Sequence, residues 1–140
     1  MFLLDTNVVS ELRKASTGRI DANVLRWSHS VPPALCHVSA MSILELEIGV
    51  RQMERRDARQ GEALRQWMDG TVFPFFSERI LSVDLAVVLR LAEMSVPDRQ
   101  PERDGLIGAT AYVHNMVLIT RNVVDFEGAG IRILNPWLEP

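Results

Sequence analysis

The sequence predicts an α/β fold, with a parallel sheet covered by helices on both faces. Three observations lead there. Short apolar runs alternate with stretches of helical periodicity. The connections between successive runs have the length of crossover helices, which parallel strands require. The two clearest runs, Leu3-Leu4 and Val117-Leu118-Ile119, each end in a polar cluster, Asp5-Thr6-Asn7 and Thr120-Arg121-Asn122. In a parallel sheet those clusters share one edge, the edge where ligands bind in open α/β folds.

The elements follow in order. After the first strand, Asn7 to Arg13 reads as a short helix with Val8, Val9 and Leu12 on one face, and Lys14 to Gly18 is a polar break. Asp21 to Ser30 is a second helix, stopped by Val31-Pro32-Pro33 because consecutive prolines cannot continue it. Leu35 to Val38 is a short strand, and Ser39 caps a longer helix that runs to about Arg56. A further helix spans about Ala58 to Gly70, with Leu64, Trp67 and Met68 at helical spacing. Thr71 to Phe76, with its phenylalanines and Pro74, reads as a buried turn. Ile80 to Val83 is a strand, and Asp84 caps a helix from Leu85 to about Met94. Val96 to Pro101 is a proline-bounded loop. The next helix starts near Asp104 and ends near Asn115. It is followed by the strand Val117 to Thr120, a polar turn at Arg121-Asn122, and a last strand from Ile131 to Leu134.

The totals exclude several classes. A chain of 140 residues, 47% hydrophobic and 24% charged, suits one domain over residues 1–140 with a substantial core. The net charge of −3 provides no basic field for nucleic acid as a whole. Cys36 is the only cysteine, so neither an intrachain disulfide nor a cysteine-based zinc site is available, as expected of a cytoplasmic protein. Met1 leads straight into the first strand without a basic leader, and no apolar run is long enough to span a bilayer. His29, His37 and His114 lack zinc-binding spacing, and there is no glycine-rich phosphate loop.

The acids carry the chemistry. Asp5 ends the first strand, and its segment alone does not separate a helix cap from a site. Glu45 sits on the helix from Ser39 among Met41, Ser42, Ile48 and Gly49, a face that is apolar or small. Glu47 has Arg51 four residues on and reads as a solvated surface acid; Glu45 has no such partner, and an unpaired carboxylate is costly to bury. Asp104, at a helix start, is a cap when taken alone and a candidate ligand when taken with Asp5. The small residues of Gly105-Leu106-Ile107-Gly108-Ala109 allow that helix to pack closely on the sheet. Asn122 and Asp125 lie just past the last clear strand, and Arg121 has the chemistry to meet a phosphate or to neutralise the acids. Carboxylates converging on one pocket cannot all stay charged and unpaired. A hard divalent cation resolves this, and oxygen donors suit Mg²⁺ or Mn²⁺, which support phosphodiester hydrolysis. The arginines 51, 55, 56 and 59 alternate with Glu54 and Asp57, the pattern of a salt-bridged exposed helix rather than an RNA groove.

Taken together, Leu3-Leu4-Asp5-Thr6-Asn7-Val8-Val9-Ser10-Glu11, Val38-Ser39-Ala40 through Glu45-Leu46 to Gly49-Val50, Asp104-Gly105-Leu106-Ile107-Gly108-Ala109, Thr120 through Glu127, and Ile133-Leu134-Asn135-Pro136-Trp137 resemble the PIN-domain ribonucleases over nearly the whole chain. The nearest group is the VapC toxins of bacterial toxin–antitoxin pairs, in particular their FitB-like branch. The resemblance implies a three-layer α/β/α sandwich with a central parallel sheet and an acidic pocket for Mg²⁺, with Mn²⁺ as a substitute. It implies Asp5 and Asp104 as metal ligands. Glu45 would bind a metal through water or orient the attacking water. Asp125 would complete the catalytic set, with Thr6, Asn122 and Arg121 supporting. Many relatives carry an acid at the position of Asn122, and others three residues later, at Asp125. It further implies a Mg-dependent endoribonuclease toxin that forms a homodimer, a cognate antitoxin, an RNA substrate, and operator DNA met only through the antitoxin. The competing expectations are an inactive PIN-like binding module acting with an antitoxin on operator DNA, and a phosphotransfer domain. The second would want another acid where Asn7 stands.

Overall fold

The computed structural model describes residues 1–139. Five short strands form one sheet: β1 (Phe2–Leu4), β2 (Cys36–Ser39), β3 (Ile80–Leu81), β4 (Val117–Ile119) and β5 (Ile133–Leu134). They are all parallel, in the order β3-β2-β1-β4-β5. β1 is therefore the central strand. The chain leaves it in one direction for β2 and β3, then returns to its other side for β4 and β5. That reversal puts the topological switch point at β1, where a crevice opens beyond the carboxyl ends of the strands.

The helices are α1 (Thr6–Leu12), α2 (Ala22–Ser30), α3 (Ala40–Arg56), α4 (Ala58–Trp67), α5 (Phe73–Phe75), α6 (Leu85–Met94), α7 (Glu102–Val113) and α8 (Val123–Phe126). They cover both faces of the sheet. Alternation along β1 shows how: successive side chains point to opposite faces. Leu4 joins Val8, Val38, Leu46, Val50 and Ile119 in one core. Leu3 joins Ile107, Ala111, Leu118 and Phe126 in the other. A strand buried on both faces reads as a continuous apolar run, the reason Leu3 and Leu4 are both apolar. The result is the expected α/β/α sandwich.

Ser39 and Asp84 start helices as the sequence indicates: Ser39 accepts from the Met41 N–H at the start of α3, and Asp84 caps α6. Asp21 and Asp57 cap α2 and α4 in the same way. Other expectations need correction. α7 begins at Glu102 behind Pro101, so Asp104 lies inside its first turn and caps nothing. Thr71 to Phe76 is not a simple buried turn. α4 runs through a π-helical turn, Met68–Val72, into α5, with Val72 and Phe76 buried while Phe73 and Phe75 stay partly exposed. The turn after β4 contains a helix, α8, that the sequence reading lacks. The small residues of α7 divide: Ala111 packs with Leu3 and Leu118 of the sheet, as expected, whereas a side-chain carbon at Gly105 would meet Leu91 of α6 and one at Gly108 would meet Phe126 of α8.

Glu47 is also corrected. Arg51 pairs with it at 2.7 Å, as the four-residue spacing requires, but Arg65 from α4 grips both its oxygens at 2.8 Å. It is a clasp between α3 and α4 rather than a free surface acid. Those guanidinium groups, with the Arg65 hydrogen bonds first, hold the Glu47 carboxyl at about 2, below its ordinary 4.5. A depressed carboxylate pKa stabilises the fold above the ordinary value, and the gain is lost as pH falls from about 4.5 towards 2. With screening at a partly exposed site, Glu47→Gln should cost about 1 kcal/mol at pH 6. Urea denaturation should show the gap between native protein and variant narrowing at pH 3.

Candidate active site

The pocket is built from strand ends and helix starts. Asp5 follows β1, and its N–H donates to the Ile119 carbonyl of β4 at 2.9 Å, which fixes the backbone. Asp5 is only 4% exposed. Its Oδ1 accepts the Thr6 N–H at 2.8 Å, so it caps α1 as well as facing the pocket. Its Oδ2 accepts from the Thr120 hydroxyl at 2.7 Å and from Asn7 Nδ2 at 3.2 Å. A carboxylate oxygen has two lone-pair sites. Oδ2 is therefore filled, and Oδ1 keeps one acceptor site free.

Glu45 enters from α3. Thr6 Oγ1 stands 2.8 Å from Glu45 Oε1 and 2.9 Å from Ser42 Oγ. A hydroxyl has one proton; Thr6 donates it to the charged oxygen and accepts from Ser42 in return. Asp104, on the first turn of α7, is half-buried. Asp125 is exposed on α8.

The charges act on one another. Burial pushes the Asp5 carboxyl up, opposed by the hydrogen bonds from Thr120 and Thr6, and the charges of Asp104 and Glu45 push it further. Asp104 is also pushed up, first by burial and then by Glu45 and Asp125. Asp5, Glu45 and Asp104 thus lie within mutual electrostatic reach, and Asp125 acts on Asp104. Among the described residues, no group of three or more His, Cys, Asp or Glu side chains is yet drawn together so that it could hold a metal ion. The donors are all hard oxygens, and among the described residues no cation pairs with Asp5 or Asp104. That chemistry fits a hard divalent cation.

The supporting residues divide. Thr6 is in the site through Glu45. Asn122 is exposed; its N–H donates to Thr120 Oγ1 at 3.0 Å, and its side chain makes no capping bond to α8. Arg121 turns away from the acids onto Trp137. Three polar side chains that the sequence reading did not assign to the site hold it in place: Ser42, Thr120 and Asn7. Ser42 and Thr120 are fully buried. A signal existed for each. Ser42 is one turn before Glu45 on the same face, and Thr120 ends a buried strand with a hydroxyl.

One further acid escaped the sequence reading. Glu11 on α1 is buried, accepts the Asp21 N–H at 2.9 Å and pairs with Lys14 at 2.9 Å, so its role is to tie α1 to the start of α2. An apolar cavity of about 270 Å³ is lined by Leu4, Leu12, Trp27, Trp67, Val72 and Phe75 among others, and none of the candidate acids lines it.

The family model described as "PIN domain" matches residues 2–127. The chain is 33% identical to "VapC ribonuclease Y4jK" of Sinorhizobium fredii, over 98% of each chain. It is 31% identical to "Toxin FitB" of Neisseria gonorrhoeae, over 98% of this chain and 99% of that one. A solved structure of FitAB bound to an IR36 DNA fragment superposes with a TM-score of 0.88 at 29% identity, covering 100% of this chain and 98% of that one.

Proposed function

The chain belongs to the PIN-domain family, with VapC ribonuclease and FitB toxin relatives along its whole length, and from that premise we propose that it is a divalent-metal-dependent endoribonuclease and the toxin of a toxin–antitoxin pair. The observation that carries this reading is the cluster of mutually repelling carboxylates, Asp5, Glu45 and Asp104, at the switch point of the sheet.

Asp5 and Asp104 would hold the cation, Mg²⁺ or in its place Mn²⁺. When bound, such an ion lowers the pKa of water and offsets charge on phosphate oxygens. The chain's own residues do the rest. Thr120 and Asn7 keep Asp5 Oδ2 engaged, so that carboxylate cannot rotate. Thr6, backed by Ser42, holds Glu45 by Oε1, leaving Oε2 to orient a water for attack. Asp125 adds negative charge beside Asp104, and Asn122 lines the same rim.

The gonococcal relative is a toxin solved as FitAB on DNA. By that likeness this protein pairs with an antitoxin and meets operator DNA through it; the homodimer is carried by the family resemblance alone. Among the described residues no helix is long and apolar enough to cross a membrane.

Antitoxin-free protein should cut single-stranded RNA in Mg²⁺ or Mn²⁺, stop in EDTA, and recover when Mg²⁺ is returned. Gel analysis of end-labelled RNA checks this. Full cleavage in EDTA would sink the metal assignment; no cleavage of any RNA, alongside a tight antitoxin complex, would favour the inactive binding module.

A further inference from the structure

The sequence leaves Arg121 two roles, neutralising the acids or meeting a phosphate, and the geometry separates them. Among the described residues Arg121 forms no ion pair with a carboxylate. Its guanidinium carbon instead lies 5.1 Å from the ring centroid of Trp137. The residue is exposed, so its donors face solvent rather than the protein.

Both ends of this stack are anchored. The Arg121 N–H donates to Asn7 Oδ1 at 3.3 Å, and the same Asn7 reaches Asp5. The preceding residue, Thr120, is bonded to Asp5. The backbone of Arg121 is thus tied to the acid pocket. Trp137 is held by its N–H, which donates to Asn135 Oδ1 at 2.9 Å, and by its carbonyl, which accepts from Asn23 at 2.8 Å. Its ring packs against the larger core. A planar guanidinium on an aromatic face keeps its in-plane donors free. A fixed cation beside an acidic pocket, pairing with none of its acids, is placed for an anion that arrives with the substrate.

We infer that Arg121 is a substrate-binding residue that receives a backbone phosphate of single-stranded RNA next to the one being cut, with Trp137 holding its guanidinium in place. This rests on the ribonuclease reading. A phosphate takes two parallel N–H donors from one guanidinium, and among the described residues the one hydrogen bond that Arg121 donates comes from its backbone N–H.

The test uses full-length protein carrying Asp104→Asn to prevent cleavage, in Mg²⁺, with a fluorescein-labelled mixed-sequence single-stranded oligoribonucleotide. Affinity is measured by anisotropy across a salt series. Adding Arg121→Ala should weaken binding about tenfold and flatten the slope of log affinity against log salt by about 0.7, the value for one single-strand phosphate contact. Arg121→Lys, which keeps the charge without the planar stack, should restore the slope and only part of the affinity. Arg132→Ala is the control: Arg132 is exposed and bonds the Asn115 carbonyl beyond the amino end of β4, at the opposite edge of the sheet, so its loss should leave the slope unchanged. In the Asp104 background, an unchanged slope in Arg121→Ala, or an equal loss in Arg132→Ala, overturns the assignment while leaving the nuclease reading intact. No RNA binding with Arg121 present overturns both.

Discussion

Asp5→Asn protein should fold normally and cut RNA more than about a hundredfold more slowly than the native chain, since even outer partners of metal ligands cost ten- to a hundredfold. The amide is nearly isosteric, but it carries no charge to hold a cation, and either way round its nitrogen would face donors: the Thr6 N–H at the Oδ1 position, or Thr120 and Asn7 at the Oδ2 position. Single-turnover cleavage of a labelled RNA measures the loss; a rate within threefold of native would remove Asp5 from the mechanism. Asp104→Asn separates function from stability. Burial and the charges of Glu45 and Asp125 raise the Asp104 carboxyl. A raised carboxyl pKa means the folded state binds the proton more readily than the unfolded one, so at neutral pH the ionised group opposes folding. The neutral amide removes that cost. Asp104→Asn should therefore be inactive and yet melt at a higher temperature than native protein in EDTA. Native protein should close the gap when Mg²⁺ is added, because the ligand stabilises only the folded state that binds it.

The second large effect is predicted far from any acid. Gly61 on α4 lies where that helix crosses α3. A side-chain carbon there would fall 2.5 Å from Glu54 Cα and 2.7 Å from Glu54 N. Those are backbone atoms and cannot move without shifting a helix. Gly61→Val should destabilise the protein by about 3 kcal/mol, at the upper end for overpacking. Gly49 on α3 is the contrast: it is exposed and has no atom within 4 Å of the added carbon, so Gly49→Ala should gain up to about 1 kcal/mol from helix propensity. Urea denaturation of both variants checks the pair. Equal effects would mean that the α3–α4 crossing is looser than the geometry requires.

The two glycines show what a sequence can and cannot reveal. Both read as small residues in helices; only the helix crossing gives one of them a reason. Glu45 and Glu47 differ in the same way. The spacing to Arg51 marked Glu47 as paired, correctly, but the bidentate Arg65 is 18 residues away and no local pattern points to it. Asp104 looked like a cap because it lies near a helix start, yet Pro101 takes that position and α7 begins ahead of it. Thr120 and Ser42 were passed over because a hydroxyl has no distinctive pattern in sequence, while burial beside a carboxylate gives it one.

What the sequence determined by itself were the quantities set by near neighbours. Apolar runs free of polar interruption required strands buried on both faces. Helix-length crossovers required a parallel sheet. Polar residues after Leu4 and Ile119 placed Asp5 and Thr120 on one edge of it. The tertiary structure alone decided which groups meet across that edge: Thr120 with Asp5, Thr6 with Glu45, Arg121 with Trp137 rather than with the acids. The reason is physical. Burial pattern and turn chemistry are short-range and are written into consecutive residues, whereas these contacts depend on ångström-scale separations between segments as much as 115 residues apart, which only packing fixes.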